Sequence, residues 1–347
     1  MLPIGKMPLH LTLISRALAY LMVVGVFLYL LNNYLVYWQA FPGTFELLSY
    51  YGVWGLEQPT TPLTQAQLIQ GWAQFHVYVF LLLLSLLYTI KTQNRSLLDD
   101  SLRFATIAAY IIRFSFWSVC LVGFSDMLVS FLRVEGFLEF WVGTEMMQQL
   151  GRPSFRGTYV HYPLIVLSLL IALRLKTVSF TWLALMVVLS EFLIVITRFV
   201  FSYEQAYMGD LVRFWYAALF LFASAHTLVE EGHVRVDVVY ASLGVRKKAW
   251  FDSIGCALFG IPLCWVILMQ GMGGRGHSIN SPLLSFEISQ SGYGMYVKYL
   301  MAAFLIVYAV SMLIQFVSYL LFNLSKLSGA NPDQQTYKAF VNAAKAN

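Results

Sequence analysis

Only 11% of the 347 residues carry charge, so every ionisable side chain inside an apolar run is a candidate for chemistry. Asp126, Glu191 and Arg113 are such residues. A carboxylate at membrane depth can relay protons, hold a cation or pair with a basic group. Asp126 and Glu191 are each followed seven residues later by an arginine, Arg133 and Arg198. Two helical turns put that arginine on the same face but about 10 Å away, too far for a direct pair. The partners of both acids are therefore expected on neighbouring helices or on another subunit, in a packing or interface role. Arg113 is close enough to a helix start to snorkel toward water. His76 and His161 lie at similar depth near the outer ends of two apolar runs, where facing imidazoles could ligate a b-type haem. Both are near the wet interface and no second pair repeats in the same helices, so haem is kept only as a rival reading. Cys120, Cys256 and Cys264 lack CxxC spacing and read as apolar packing residues. No GxSxG, HExxH or gathered Ser, His and Asp is found, so no enzyme is expected. Neither a cofactor nor a metal site is expected.

The elements that must position these groups are membrane helices. Hydrophobic residues make up 59% of the chain, mean hydropathy is +0.69, and uncharged runs of about twenty residues recur throughout, as lipid requires. The fold class is all-α and polytopic, with eight expected spans: 17–38, 73–90, 104–132, 159–173, 181–201, 211–229, 251–270 and 299–322. The fourth is the shortest. The first run continues to Trp38 without a small-residue cleavage site, so it reads as a span and not a removed signal peptide. With eight spans and a cytoplasmic N-terminus, fourteen of the 22 lysines and arginines fall on inside segments, including Arg246, Lys247 and Lys248. That bias puts both termini in the cytoplasm. After the last span comes a short polar tail over 326–347, with a small helix starting at Asn331-Pro332. In the first outer loop, Thr61 and Pro62 look like the N-cap and first position of a helix that carries the second span above the membrane. In the second, "GFLEFWVGTEMMQQLGRP" reads as an interfacial amphipathic helix stopped by Gly151 and Pro153. "SDMLVSFLR" and "SEFLIVITR", at the outer ends of the third and fifth spans, echo one another.

Charge is densest in "VEEGHVRVDVVY", Val229 to Tyr240, between the sixth and seventh spans. Gly232 can end a helix in a left-handed turn. The alternation of His233, Arg235 and Asp237 with valines then places polar and apolar groups on opposite sides of an extended segment. Its polar side either binds a partner or is a solvated turn. Together with Arg198, Glu191 and Asp126, Gly232, His233, Arg235 and Asp237 form the set of partner-interface residues read from the sequence.

Here the chain resembles the small, Q-type (DctQ-like) membrane subunit of tripartite ATP-independent periplasmic (TRAP) transporters. That family shows an arginine ending its first helix, a second helix, a Gly-Gly-His-hydrophobic-Arg-hydrophobic-Asp motif, a basic stretch and a third helix. The matching stretches are Arg198 in "VITRFVFS", the span 211–229, "EGHVRVD" with Glu231 in place of the first glycine, and "GVRKKAWFD". The resemblance covers about Ser179 to Leu324 and, because the family usually has four helices, implies a four-helix N-terminal extension over 1–176 ahead of a small-subunit-like four-helix domain over 177–325. It implies a bacterial inner-membrane complex taking up an organic acid. In it a large permease subunit holds substrate and sodium and moves as an elevator, a periplasmic substrate-binding protein delivers the substrate, and the small subunit is a fixed scaffold. The broken helices with paired Gly/Pro interruptions that mark a transport site are not evident. Partners implied are the large subunit, the binding protein and membrane lipids. No basic tract with interleaved aromatics suggests nucleic acid. A stand-alone multi-pass carrier or channel is the alternative reading.

Overall fold

The computed structural model describes residues 8–59, 61–175, 180–229, 240, 242–289, 293–329 and 340–343. Helices over Leu9–Tyr37 (α1), Gly43–Tyr50 (α2), Gln65–Lys91 (α3), Leu97–Val134 (α4) and Leu138–Leu150 (α5) come first. They are followed by Pro153–Arg174 (α6), Phe180–Phe201 (α7), Ala206–Val229 (α8), Val245–Met272 (α9), Asn280–Ser285 (α10) and Lys298–Leu327 (α11). Among the described residues there is no strand. Among the described residues seven helices are long and apolar enough to cross a membrane by length and composition: α1, α3, α4, α6, α7, α9 and α11. The 24-residue α8 packs against α4, α7 and α11 and takes the place of the expected sixth span. The chain is an all-α polytopic membrane protein.

Several boundaries move for local reasons. The second span starts at a capping box, not at Thr61: the Gln67 amide N–H donates to Thr64 Oγ1 at 3.3 Å while Gln67 Oε1 accepts from the Thr64 N–H at 3.0 Å. Two orphan donors are satisfied there at once, which Thr61-Pro62 cannot offer. The α5 helix lies where the interfacial helix was expected, with Phe140 and Trp141 85% and 72% exposed, and it kinks at Gly143, whose φ of 79° suits glycine. Gly151 does not take a left-handed turn; its φ is −73°, and the new helix begins at Pro153. The short fourth span is in fact 22 residues long. Its expected start falls late because Arg152 and Arg156 read as loop cations, whereas the helix begins at Pro153 and carries Arg156 inward. Pro163 lacks an N–H and crowds the carbonyl four residues back. The helix widens into a π turn over Gly157–His161, where the Tyr162 N–H reaches the Gly157 carbonyl, and so stays continuous. The same device recurs at Cys256–Gly260, just before Pro262. The small helix expected at Asn331-Pro332 lies outside the described residues.

The two central helices are α4 and α11, with 50% and 56% of their apolar stretches buried against 11% for α7. Their crossing is closed by a reciprocal pair: Ser101 Oγ donates to the Ser318 carbonyl at 2.8 Å and Ser318 Oγ to the Ser101 carbonyl at 2.7 Å. Small hydroxyl residues let helices approach closely and bond across the contact where lipid offers no hydrophobic drive. One core joins α4, α8 and the start of α11 through Phe116, Val119, Phe214, Phe222 and Phe304. A second joins α1, α4, α9 and α11 through Val26, Phe104, Leu268 and Leu313. Both mix residues from before and after position 177. A polar ladder does the same. Tyr29, Asn33 and Tyr37, one helical turn apart on α1, donate to the carbonyls of Leu268, Met272 and Gly273 at 3.1, 2.6 and 2.9 Å. The Met272 and Gly273 carbonyls lie at the C-terminal end of α9, where no further helical N–H follows to pair them. Cys120, Cys256 and Cys264 are buried free thiols, as packing residues would be.

Candidate functional site

Among the described residues, beside the Asp210–Arg213 pair at the start of α8, three groups of ionisable residues bear on the site. The first is built around Asp126, one turn before Ser130 on α4. The opening turn of α6 brings Arg156, the π turn brings His161, the segment just before α11 brings Tyr296, and the first turn of α11 brings Tyr299. Arg156 Nη1 donates to Asp126 Oδ1 at 2.9 Å and to Ser130 Oγ at 3.1 Å, and Nε donates to the Leu150 carbonyl at 2.9 Å. Its guanidinium carbon stands 4.1 Å from the Tyr296 ring centroid, a cation–π contact. His161 Nε2 lies 3.0 Å from Asp126 Oδ1, its Nδ1 lies 2.9 Å from the Tyr299 hydroxyl, and its ring stacks on that of Tyr299. The other carboxylate oxygen, Oδ2, accepts the Tyr296 backbone N–H at 2.7 Å. Asp126, Arg156 and His161 are fully buried. Gly157 makes the packing possible. A Cβ there would sit 2.4 Å from the Phe286 ring and 3.1 Å from the Tyr299 hydroxyl.

Chemically this is a clamp. A buried charge is tolerated only with a counter-charge and satisfied hydrogen bonds, and Asp126 receives three donors. The clamp ties α4 and α6 to the segment that opens α11. It also uses both ring nitrogens of His161, one on Asp126 and one on Tyr299. His76, the other histidine weighed as a haem ligand, is exposed on α3, with Nδ1 2.7 Å from the Trp72 carbonyl oxygen.

A second clamp sits at the opposite end of α4. Arg16 Nε donates to Asp100 Oδ2 at 2.5 Å, and Nη1 and Nη2 donate to the carbonyl and hydroxyl oxygens of Thr92 at 2.7 and 2.8 Å. Tyr20 donates to Asp100 Oδ1 at 2.9 Å. Arg16 and Asp100 are 0% exposed. The sequence reading missed this pair because it assigned Arg16 to the loop before the first span, whereas α1 starts at Leu9 and carries Arg16 inward. The available signal was the capping box Ser96–Asp99, which fixes Asp100 in the first turn of α4. Arg156 was likewise counted as a loop cation.

The third group is on α7, the least buried span. Glu191 and Arg198 are exposed on it. Arg198 Nε makes a 3.3 Å ion pair with Glu204. Among the described residues no cation or donor pairs with Glu191. The structure therefore separates the echoed acids: Asp126 faces this bundle, where its carboxylate has no surface left for another chain, whereas Glu191 faces out. Arg113, half-exposed on α4, stands 6.0 Å from the Tyr110 ring. Gly232, His233, Arg235 and Asp237 lie outside the described residues.

A polytopic helical bundle with two internal ionic clamps and one exposed charged span is the class that fold and site define. Residues 186–323 match the family model described as tripartite ATP-independent periplasmic transporters, DctQ component. The matched segment is thus similar to the small membrane component of TRAP transporters; it covers less than half of the chain and follows an N-terminal extension. No curated protein and no solved structure matches the chain.

Proposed function

We propose that the chain is the fixed scaffold subunit of a TRAP transporter in the bacterial inner membrane, with both termini cytoplasmic. It holds a large elevator permease during sodium-driven uptake of an organic acid that a periplasmic binding protein delivers. The observation that carries this reading is the family match over 186–323. The exposed span α7, whose residues from 186 onward lie in the matched region, with Glu191 and Arg198 on its surface, supports it. So do the two clamps, which suit a body that keeps its shape while a partner moves. The segment "EGHVRVD" supplies a polar edge for the permease on this reading. Arg235 is its centre, because a guanidinium offers five donors in a planar fork. Replacing Arg235 or Asp237 by alanine should weaken co-purification with the permease by roughly 1 to 3 kcal/mol, or about 5- to 150-fold, the cost of an unpaired buried polar group. Unchanged complex yield and uptake in both variants would make that segment a solvated turn.

A further inference from the structure

The α7 helix carries a repeat that its own bundle leaves unused. Leu185, Val188, Phe192, Val195 and Phe199 recur at alternate steps of three and four residues, and all are exposed, from 42% to 78%. That is the spacing of a helix–helix seam, with Glu191 and Arg198 both in the flanking position that normally meets a charge across the contact. Glu191 is the informative residue. It lies eleven residues from Phe180 and ten from Phe201 in a 22-residue span, so roughly 15 Å of helix separates it from either end. A glutamate side chain cannot reach water over that distance, and an exposed carboxylate at mid-bilayer is costly unless a partner neutralises it. Arg198 does not serve, since it is two turns away and paired with Glu204.

We propose that this seam docks against a transmembrane helix of the large permease that carries an arginine or lysine at mid-bilayer depth, facing Glu191. The inference rests on the scaffold role proposed above and specifies its contact. Lipid alone leaves the carboxylate in hydrocarbon. A second copy of the chain, related by an axis along the membrane normal, sets Glu191 against Glu191 at equal depth and leaves Arg198 about 10 Å away along the normal. A foreign cation at the right height resolves both problems.

The test uses the full chain co-expressed with the permease of the same transporter. A photo-crosslinking amino acid at Val188 or Val195 should form adducts with the permease, and one at Phe80, 63% exposed on α3, should not. Glu191→Lys should lower co-purification at least tenfold, and Glu191→Gln several-fold, while neither changes the gel-filtration profile of the chain purified alone. The neutral variant keeps the test valid if the lysine variant fails to insert. Adducts at Val188 and Val195 only with lipid or with a second copy, while the permease still co-purifies, would overturn the seam and leave the scaffold role standing. Correct adducts with wild-type co-purification of both Glu191 variants would overturn the facing cation. Failure of the wild-type chain to retain the permease at all would remove the scaffold role and the seam together.

Discussion

Replacing Asp126 by alanine removes the acceptor for three donors and leaves the Arg156 guanidinium buried without a counter-charge. Breaking a buried ion pair from one side costs about 3 to 5 kcal/mol, chiefly because the surviving charge stays desolvated. The Tyr296 N–H, held at 2.7 Å, also loses its acceptor, worth about 1 to 3 kcal/mol alone. The two losses share a site and do not add fully, so a total of about 4 kcal/mol is expected. At roughly 2 °C per kcal/mol for a chain of this size, thermal unfolding in detergent, followed by tryptophan fluorescence, should shift down by about 8 °C. The double variant Asp126→Leu with Arg156→Met should be more stable than Asp126→Ala alone, because it leaves no unpaired charge. A shift below about 2 °C for Asp126→Ala, or a double variant worse than the sum of its singles, would refute the clamp.

The clamp at the other end of α4 should respond in the same way: Arg16→Ala leaves Asp100 buried and should lower the unfolding midpoint by roughly 6 to 10 °C, measured in the same assay. The proposed orientation predicts that a cysteine replacing Ser242 resists a membrane-impermeant thiol reagent added from the periplasm while one replacing Thr60 reacts. The reverse pattern would invert the bundle.

Much of the architecture was legible because lipid imposes a simple rule: uncharged runs of span length must be helices. Seven of the eight expected spans and the helix over Leu138–Leu150 follow from it; the segment at 211–229 is helical but is not among those seven. What escaped were features set by pairs of distant residues. Arg16 and Asp100 are separated by 84 positions, and nothing local distinguishes a clamped arginine near a helix start from a loop arginine beside a phosphate headgroup. Asp126 and Glu191 occupy matching places in echoed stretches, yet one is fully buried and the other exposed. Their fates depend on α6 and α11, which crowd the first and leave the second bare. The π turn before Pro163 was readable in principle from the proline, but the burial it gives His161 required the position of Tyr299. The division into two four-helix units that the resemblance implies is a statement about chain order; in space, α4 of the extension packs against α8 and α11 of the matched region.

The scaffold role is tested most directly by reconstituting three preparations into vesicles under an inward sodium gradient, with the periplasmic binding protein outside and a panel of labelled organic acids. The preparations are this chain alone, the large permease alone, and the two co-purified. The account predicts that the two chains elute as one complex, that only the complex takes up label, and that this chain alone takes up none. Sodium-dependent uptake by this chain alone, purified as a stable monomer, would contradict it and make the protein a carrier in its own right.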